Sequence, residues 1–216
     1  MLEFMTEEAD AKNEPVAHLI LTHGASQPMT SRFFETLVPM LLSRGISVSR
    51  FEFAYMRQIR ETGKRRPPPK IETMFPELVE AVDEIRARIG TNAKLLIGGK
   101  SMGGRIASML ADELLEKGQI SGLVCLGYPF HPPKKPDSLR TAHLADLKCP
   151  ALIVQGERDP FGTQDEVADY ALSPAIELCW AGDGDHDFGP RGGRGFTRKG
   201  NIEGAANAIA RFAARI

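Results

Sequence analysis

Hydrophobic positions along this chain switch repeatedly between two spacings. Short apolar runs at Ala17–Thr22, Ile46–Phe53, the start of 93–106, Ser121–Leu126, Ala151–Gln155 and Ala175–Trp180 read as strands. Between them, apolar residues recur every three or four positions. Leu78, Val82, Ile85 and Ile89 make one helical stripe, Ile106, Leu110 and Leu114 a second, and Ile202, Ala205, Ile209, Phe212 and Ile216 a third. A further helix is expected over Ser31–Ser43, capped by Thr30 or Ser31, stopped by Gly45, and bent or shifted by Pro39. Thr163 and Glu166 form a capping box for another, running to about Ala171, and Asn201 is the expected N-cap of the last. The connection Tyr55–Lys70 is polar, and Leu139–Ala145 suits a short helix. Alternating strands and helices predict an α/β fold: a mostly parallel sheet of about six strands with helices on both faces. Residues 1–14 read as a flexible arm, leaving 15–216 as one domain.

One strand-to-helix junction has an unusual composition. Gly99-Lys100-Ser101-Met102-Gly103 fits G-x-S-x-G, which lifts a serine hydroxyl onto the tip of a tight corner. Strand and helix pass too closely there for side chains two residues either side of the serine, so glycine is needed at both places. The N–H of Met102 then faces any oxyanion formed on Ser101. A phosphate-binding G-x-x-x-x-G-K-[ST] loop would use the same Lys100-Ser101 but needs glycine where Lys94 stands. The remaining alternative is that Ser101 only caps the helix.

The rest of the chain decides between these readings. Ser101, Asp159 and His186 each follow a predicted strand, and the carboxyl ends of parallel strands share one edge. A serine hydroxyl needs a base to become nucleophilic, and the base needs an acid to fix its tautomer. His186 is the candidate base and Asp159 the candidate acid; Asp183, Asp185 and Asp187 flank His186 too closely to reach its far nitrogen. The loop after the first predicted strand supplies a second oxyanion donor, Ala25, with Ser26 as the alternative. His23 is read as shaping that loop, and His18 as a core or edge residue. His143 falls outside the catalytic set; Tyr55, Tyr128, Phe130 and His131 are candidates to line a substrate pocket.

Composition narrows the picture further. The 216 residues carry a net charge of −1, with 42% hydrophobic and 25% charged residues, so no global charge draws the chain to nucleic acid or membrane. Cys125, Cys149 and Cys179 lack C-x-x-C spacing and read as buried reduced thiols; with no leader segment and no membrane span, a cytosolic location is expected. No metal or cofactor is called for. The basic run with Arg57, Arg60, Lys64, Arg65, Arg66 and Lys70 reads either as a solvated loop or as a rim, with Arg65 and Arg66, attracting an anionic substrate or partner. It lacks the interleaved aromatics of a nucleic-acid platform.

The stretches LTHGA (21–25), RFEFAYM (50–56), GKRRPPP (63–69), IGGKSMGGR (97–105), LGYPFHPP (126–133), QGERDPFG (155–162) and GDHDF (184–188) together carry a resemblance. The chain resembles the dienelactone-hydrolase-like branch of the α/β-hydrolases, and within it a group of small testis-expressed hydrolase-like proteins and a chromatin-complex subunit. The resemblance implies an α/β-hydrolase domain without a large lid, with Ser101 as nucleophile, Asp159 as acid and His186 as base. Dienelactone hydrolases carry cysteine where this chain has Ser101, so the resemblance does not extend to their substrate. The expectation is a serine hydrolase of a small-molecule ester, thioester or related acyl bond. The alternatives are a binding module with an idle triad and an acyltransferase.

Overall fold

A computed structural model describes residues 2–10, 15–192 and 195–216. Seven strands form one sheet: β1 (Phe4–Glu7), β2 (Ala17–Thr22), β3 (Ile46–Phe51), β4 (Leu95–Lys100), β5 (Gly122–Leu126), β6 (Ala151–Gly156) and β7 (Ile176–Ala181). Their spatial order is β1-β3-β2-β4-β5-β6-β7. β2 to β7 are parallel, and β1 runs antiparallel on the edge beside β3, Phe4 facing Phe51 and Glu7 facing Val48. The helices are α1 (Arg32–Leu42), α2 (Ala54–Thr62), α3 (Phe75–Ile89), α4 (Met102–Glu116), α5 (Gln164–Ala168) and α6 (Arg198–Arg215).

The period-2 alternation of the strands sorts side chains into two cores. In β2, Leu19 and Leu21 face α1 and α6, packing with Phe34, Leu37, Ile209 and Phe212. Ile20, between them, faces the opposite layer with Leu78, Val82, Ile106 and Leu110 of α3 and α4. All positions of β2 to β6 are buried, as expected of parallel strands covered on both faces.

Four expectations are corrected. The N-terminal arm is not all free chain: Phe4–Glu7 is the seventh strand, so the sheet exceeds the expected six. It is pinned by Arg50 Nη2 to Glu7 Oε2 (2.6 Å), by Thr6 Oγ1 to Ser49 Oγ (2.8 Å) and by Arg60 Nη2 to Glu3 Oε2 (2.7 Å). Residues 2, 3 and 8–10 flank the strand without regular structure, the N–H of Asp10 donating to Leu42 O at 3.1 Å, and residues 1 and 11–14 of that expectation lie outside the described residues. The connection after β3 is helical over Ala54–Thr62, because Tyr55 and Met56 turn inward and Gly63 ends the helix in the left-handed region at φ 68°. Only the irregular stretch that follows, through Lys70, is fully exposed. α5 stops at Ala168, short of Ala171. Asn201 does not cap α6: Thr197 does, accepting from the N–H of Gly200 at 3.0 Å, while Asn201 lies buried inside the helix. Its amide donates to the carbonyls of Gly182 and Phe188, both at 2.9 Å, tying α6 to the loop after β7.

Candidate active site

Ala25, Ser101, Asp159 and His186 follow β2, β4, β6 and β7, so the parallel topology places all four at the carboxyl edge of the sheet. Ser101 sits between β4 and α4 with φ 52° and ψ −114°, a conformation that non-glycine residues adopt only when their surroundings enforce it. Here the enforcement is the crossing of Thr22. A Cβ on Gly99 would lie 2.3 Å from Thr22 Oγ1 and 2.6 Å from its carbonyl oxygen; one on Gly103 would lie 2.2 Å and 2.7 Å from the same atoms. The two glycines thus let helix, strand and β2 meet at one corner. Gly24 lies over that corner, its missing Cβ 3.8 Å from Ser101 Cβ.

His186 Nδ1 lies 2.7 Å from Asp159 Oδ2, and Asp159 is fully buried. The other carboxylate oxygen, Oδ1, accepts from the N–H of Phe161 at 2.9 Å. An ionised carboxylate only accepts, so Nδ1 carries the hydrogen and Nε2 keeps its lone pair. The ring stacks on Phe161 at 4.4 Å between centroids and passes Gly127, whose missing Cβ would lie 3.3 Å from its Cε1. Among the described residues, the Ser101 hydroxyl makes no hydrogen bond, to His186 or to any other group.

Two loops must be stitched together for Asp159 and His186 to meet. The N–H of Arg158 donates to Gly184 O at 2.9 Å, and the N–H of Asp183 donates to Glu157 Oε2 at 2.6 Å. The Arg158 guanidinium reaches both the carbonyl and the carboxylate of Asp183. Asp183 also accepts from the backbone and guanidinium of Arg191, which with Arg158 holds its carboxyl down at about 2. Asp185 folds the next turn, accepting from the N–H groups of Asp187 and Gly189. Asp187 faces Lys100, Oδ1 to Nζ 3.4 Å. The three aspartates flanking His186 are therefore occupied elsewhere.

The loop after β2 is braced from below. His23 Nδ1 donates to Gly24 O at 2.7 Å and its Nε2 accepts from the N–H of Phe53 at 3.1 Å, so both ring nitrogens are committed. Burial pushes its imidazole affinity for a proton below the ordinary value. Tyr55 Oη donates to Ala25 O at 3.1 Å and contacts Met102 Sδ at 3.9 Å. Tyr55 thus touches both residues expected to carry oxyanion donors, as a brace and largely buried. His18 Nε2 meets Ser49 Oγ at 2.8 Å in the core, and His143 Nε2 meets Ser108 Oγ at 2.8 Å.

Other candidates for the pocket lie elsewhere. Tyr128 and Phe130 are fully buried, packed on each other at 4.9 Å, so neither offers a face to a substrate. His131 is also buried, its Nδ1 donating to Pro132 O at 2.9 Å and its Nε2 3.5 Å from Glu166. Arg65 and Arg66 are exposed on the irregular stretch after α2, and Arg60 is taken up by Glu52 and Glu3. Beyond the rejected phosphate loop, the sequence suggested no role for Lys100, which is buried one residue before Ser101, its ammonium 5.6 Å from the ring centre of Phe33. Burial lowers its affinity for a proton, opposed by Asp187 and Asp159. A lysine ending the apolar run LLIGGK was the available signal.

A family model of an alpha/beta hydrolase domain matches residues 15–214. The chain belongs to that family. Solved structures of the same fold include a serine hydrolase without a lid from Xanthomonas campestris, 17% identical, with a TM-score of 0.66 over 96% of this chain and 89% of that one. Dienelactone hydrolase from Anabaena variabilis is 20% identical, with a TM-score of 0.68 over 99% and 89%. Est1E from Butyrivibrio proteoclasticus, in a structure with ferulic acid bound, is 14% identical, with a TM-score of 0.68 over 99% and 96%. At these identities the likeness is one of fold. Within this alpha/beta hydrolase domain, no lid is inserted among the described residues: the β5–β6 connection holds only a 3-10 turn at Ala142–Leu144. No helix among them is long and apolar enough to cross a membrane.

Proposed function

We propose that the chain is a serine hydrolase that cleaves an ester, thioester or related acyl bond. Ser101 Oγ attacks the carbonyl carbon while His186 Nε2 takes its proton. Asp159 holds the ring and balances the imidazolium. The oxyanion of the tetrahedral intermediate is received by the N–H groups of Met102, at the first position of α4, and Ala25. The intermediate collapses, the bond to the leaving group breaks, and that group departs with the proton from His186. Water, giving its proton to His186, then attacks the acyl-enzyme, and the carboxylic acid leaves as Ser101 is restored.

The observation that supports this most is the 2.7 Å pair of His186 and Asp159 on the same sheet edge as a serine held at φ 52°. That the Ser101 hydroxyl has no hydrogen-bond partner among the described residues favours one rival, a binding module with an idle triad. Turnover of 4-nitrophenyl acetate and an acyl thioester separates the two. The hydrolase reading expects activity that falls about a millionfold in kcat in Ser101→Ala. Wild-type protein inert on both, or a mutant as active as wild type, overturns it.

A further inference from the structure

A cleft of about 460 Å³ opens on the loop that carries His186. Its wall includes Asp187, the next residue in the chain, and Gln27, two residues past Ala25. Its apolar floor is Phe33 and Ile202; the Phe33 ring packs on Phe188 at 5.3 Å and lies near the Lys100 ammonium. The cleft is thus lined from the two loops that carry His186 and Ala25, while Ser101, Asp159 and His186 themselves lie outside its lining, and its volume suits a small organic group.

Its charge is one-sided. Arg32, at the start of α1, and Arg198 and Lys199, at the start of α6, all line it, and Asp187 is the lining carboxylate. That carboxylate already faces Lys100 at 3.4 Å. Arg198 has Asp185 at 3.9 Å, whereas Arg32 and Lys199 have no ion-pair partner among the described residues. Two guanidinium forks and an ammonium thus surround a concavity with little local counter-charge, an arrangement that receives a carboxylate or a phosphate.

We infer that this cleft recognises an anionic group carried by the acyl substrate, so that the natural substrate is a carboxylate- or phosphate-bearing ester or thioester. The inference rests on the hydrolase reading above. It also moves anion recognition from Arg65 and Arg66, on an irregular stretch, to Arg32 and Lys199, which are exposed as well but line a concavity and come from opposite ends of the chain.

The test compares kcat/KM for three substrates: neutral 4-nitrophenyl butyrate, mono-4-nitrophenyl glutarate with a carboxylate on the acyl side, and 4-(butyryloxy)phenyl phosphate with a phosphate on the leaving side. At least one anionic ester should exceed the neutral one by about tenfold or more at low salt, the excess shrinking at high salt. The better arm also identifies the anion and the side of the bond that enters the cleft. The double variant Arg32→Glu/Lys199→Glu, and the milder Arg32→Gln/Lys199→Gln, should each collapse that ratio. Three results overturn the inference: neither anionic ester preferred, a preference that survives both double variants, or a preference lost instead on Arg65→Glu/Arg66→Glu. Labelling of wild-type Ser101 by a fluorophosphonate separates the two levels. Labelled protein without charge preference sinks this inference alone, while unlabelled protein sinks the hydrolase reading with it.

Discussion

Replacing Asp159 by Asn changes few atoms and should remove nearly all turnover. The carboxylate accepts on two separate oxygens, from Phe161 N–H at 2.9 Å and from His186 Nδ1 at 2.7 Å. The Phe161 N–H can only donate, so the Asn carbonyl is drawn to it and the amide NH2 faces His186. Nδ1 must then accept, the ring hydrogen moves to Nε2, and the lone pair that takes the Ser101 proton is lost. The opposite orientation sets NH2 against N–H in a fully buried place, at a cost of about 1–3 kcal/mol for an unmet donor. In either orientation the imidazolium also loses its counter-charge. The expected loss in kcat is about 10⁴-fold, or about 5.5 kcal/mol of barrier. Steady-state hydrolysis of a 4-nitrophenyl ester measures it, and nitrogen NMR of the His186 ring reports which nitrogen carries hydrogen. A variant with kcat within tenfold of wild type, its hydrogen still on Nδ1, would refute the reasoning.

Other perturbations follow from the same geometry. Gly103→Ala drives a methyl to 2.2 Å from Thr22 Oγ1 and 2.8 Å from His23 O, so urea unfolding should show a loss of about 3 kcal/mol or more; a change under about 0.5 kcal/mol would contradict the crossing described here. Tyr55→Phe removes the hydroxyl that holds Ala25 O, and should lower kcat by about three- to tenfold with little change in KM; unchanged kcat would deny Tyr55 its bracing role. Burial lowers the proton affinity of His18, His23 and His143 from the ordinary 6.5. Below that pH the unfolded chain takes up protons that the folded chain resists, so stability is full above about 6.5 and declines as pH falls through it. Guanidinium midpoints at pH values of about 7.5 and 5.5 should therefore differ, the lower at the acid side, and equal midpoints would contradict the burial argument.

The sequence carried most of the fold because its signals were local. Buried parallel strands are continuous apolar runs, and helices α3, α4 and α6 carry uninterrupted stripes. β1 escaped because its four residues show no clear alternation and gain their place from β3, through Arg50 and Ser49. α2 escaped because its polar side chains, Arg57, Gln58, Arg60, Glu61 and Thr62, outnumber the two it buries. Ser101, Asp159 and His186 were legible from their places after strands, since topology alone gathers strand ends. Tyr128 and Phe130 were misplaced for the complementary reason: following a strand says where the backbone emerges, not where a ring points. After Gly127, at φ 62°, both rings turn into the core. Asn201 looked like a cap because a buried asparagine satisfied by distant carbonyls leaves no mark in sequence. The cations of the cleft are likewise invisible until α1 and α6 pack side by side.

The most direct measurement is a covalent one. Purified protein is treated with a fluorophosphonate, digested, and the modified residue located by mass spectrometry, with Ser101→Ala and His186→Ala in parallel. A single adduct on Ser101 is expected, absent from Ser101→Ala and formed far more slowly in His186→Ala. Labelling no faster than that of exposed serines, or equal rates with and without the imidazole of His186, would contradict it.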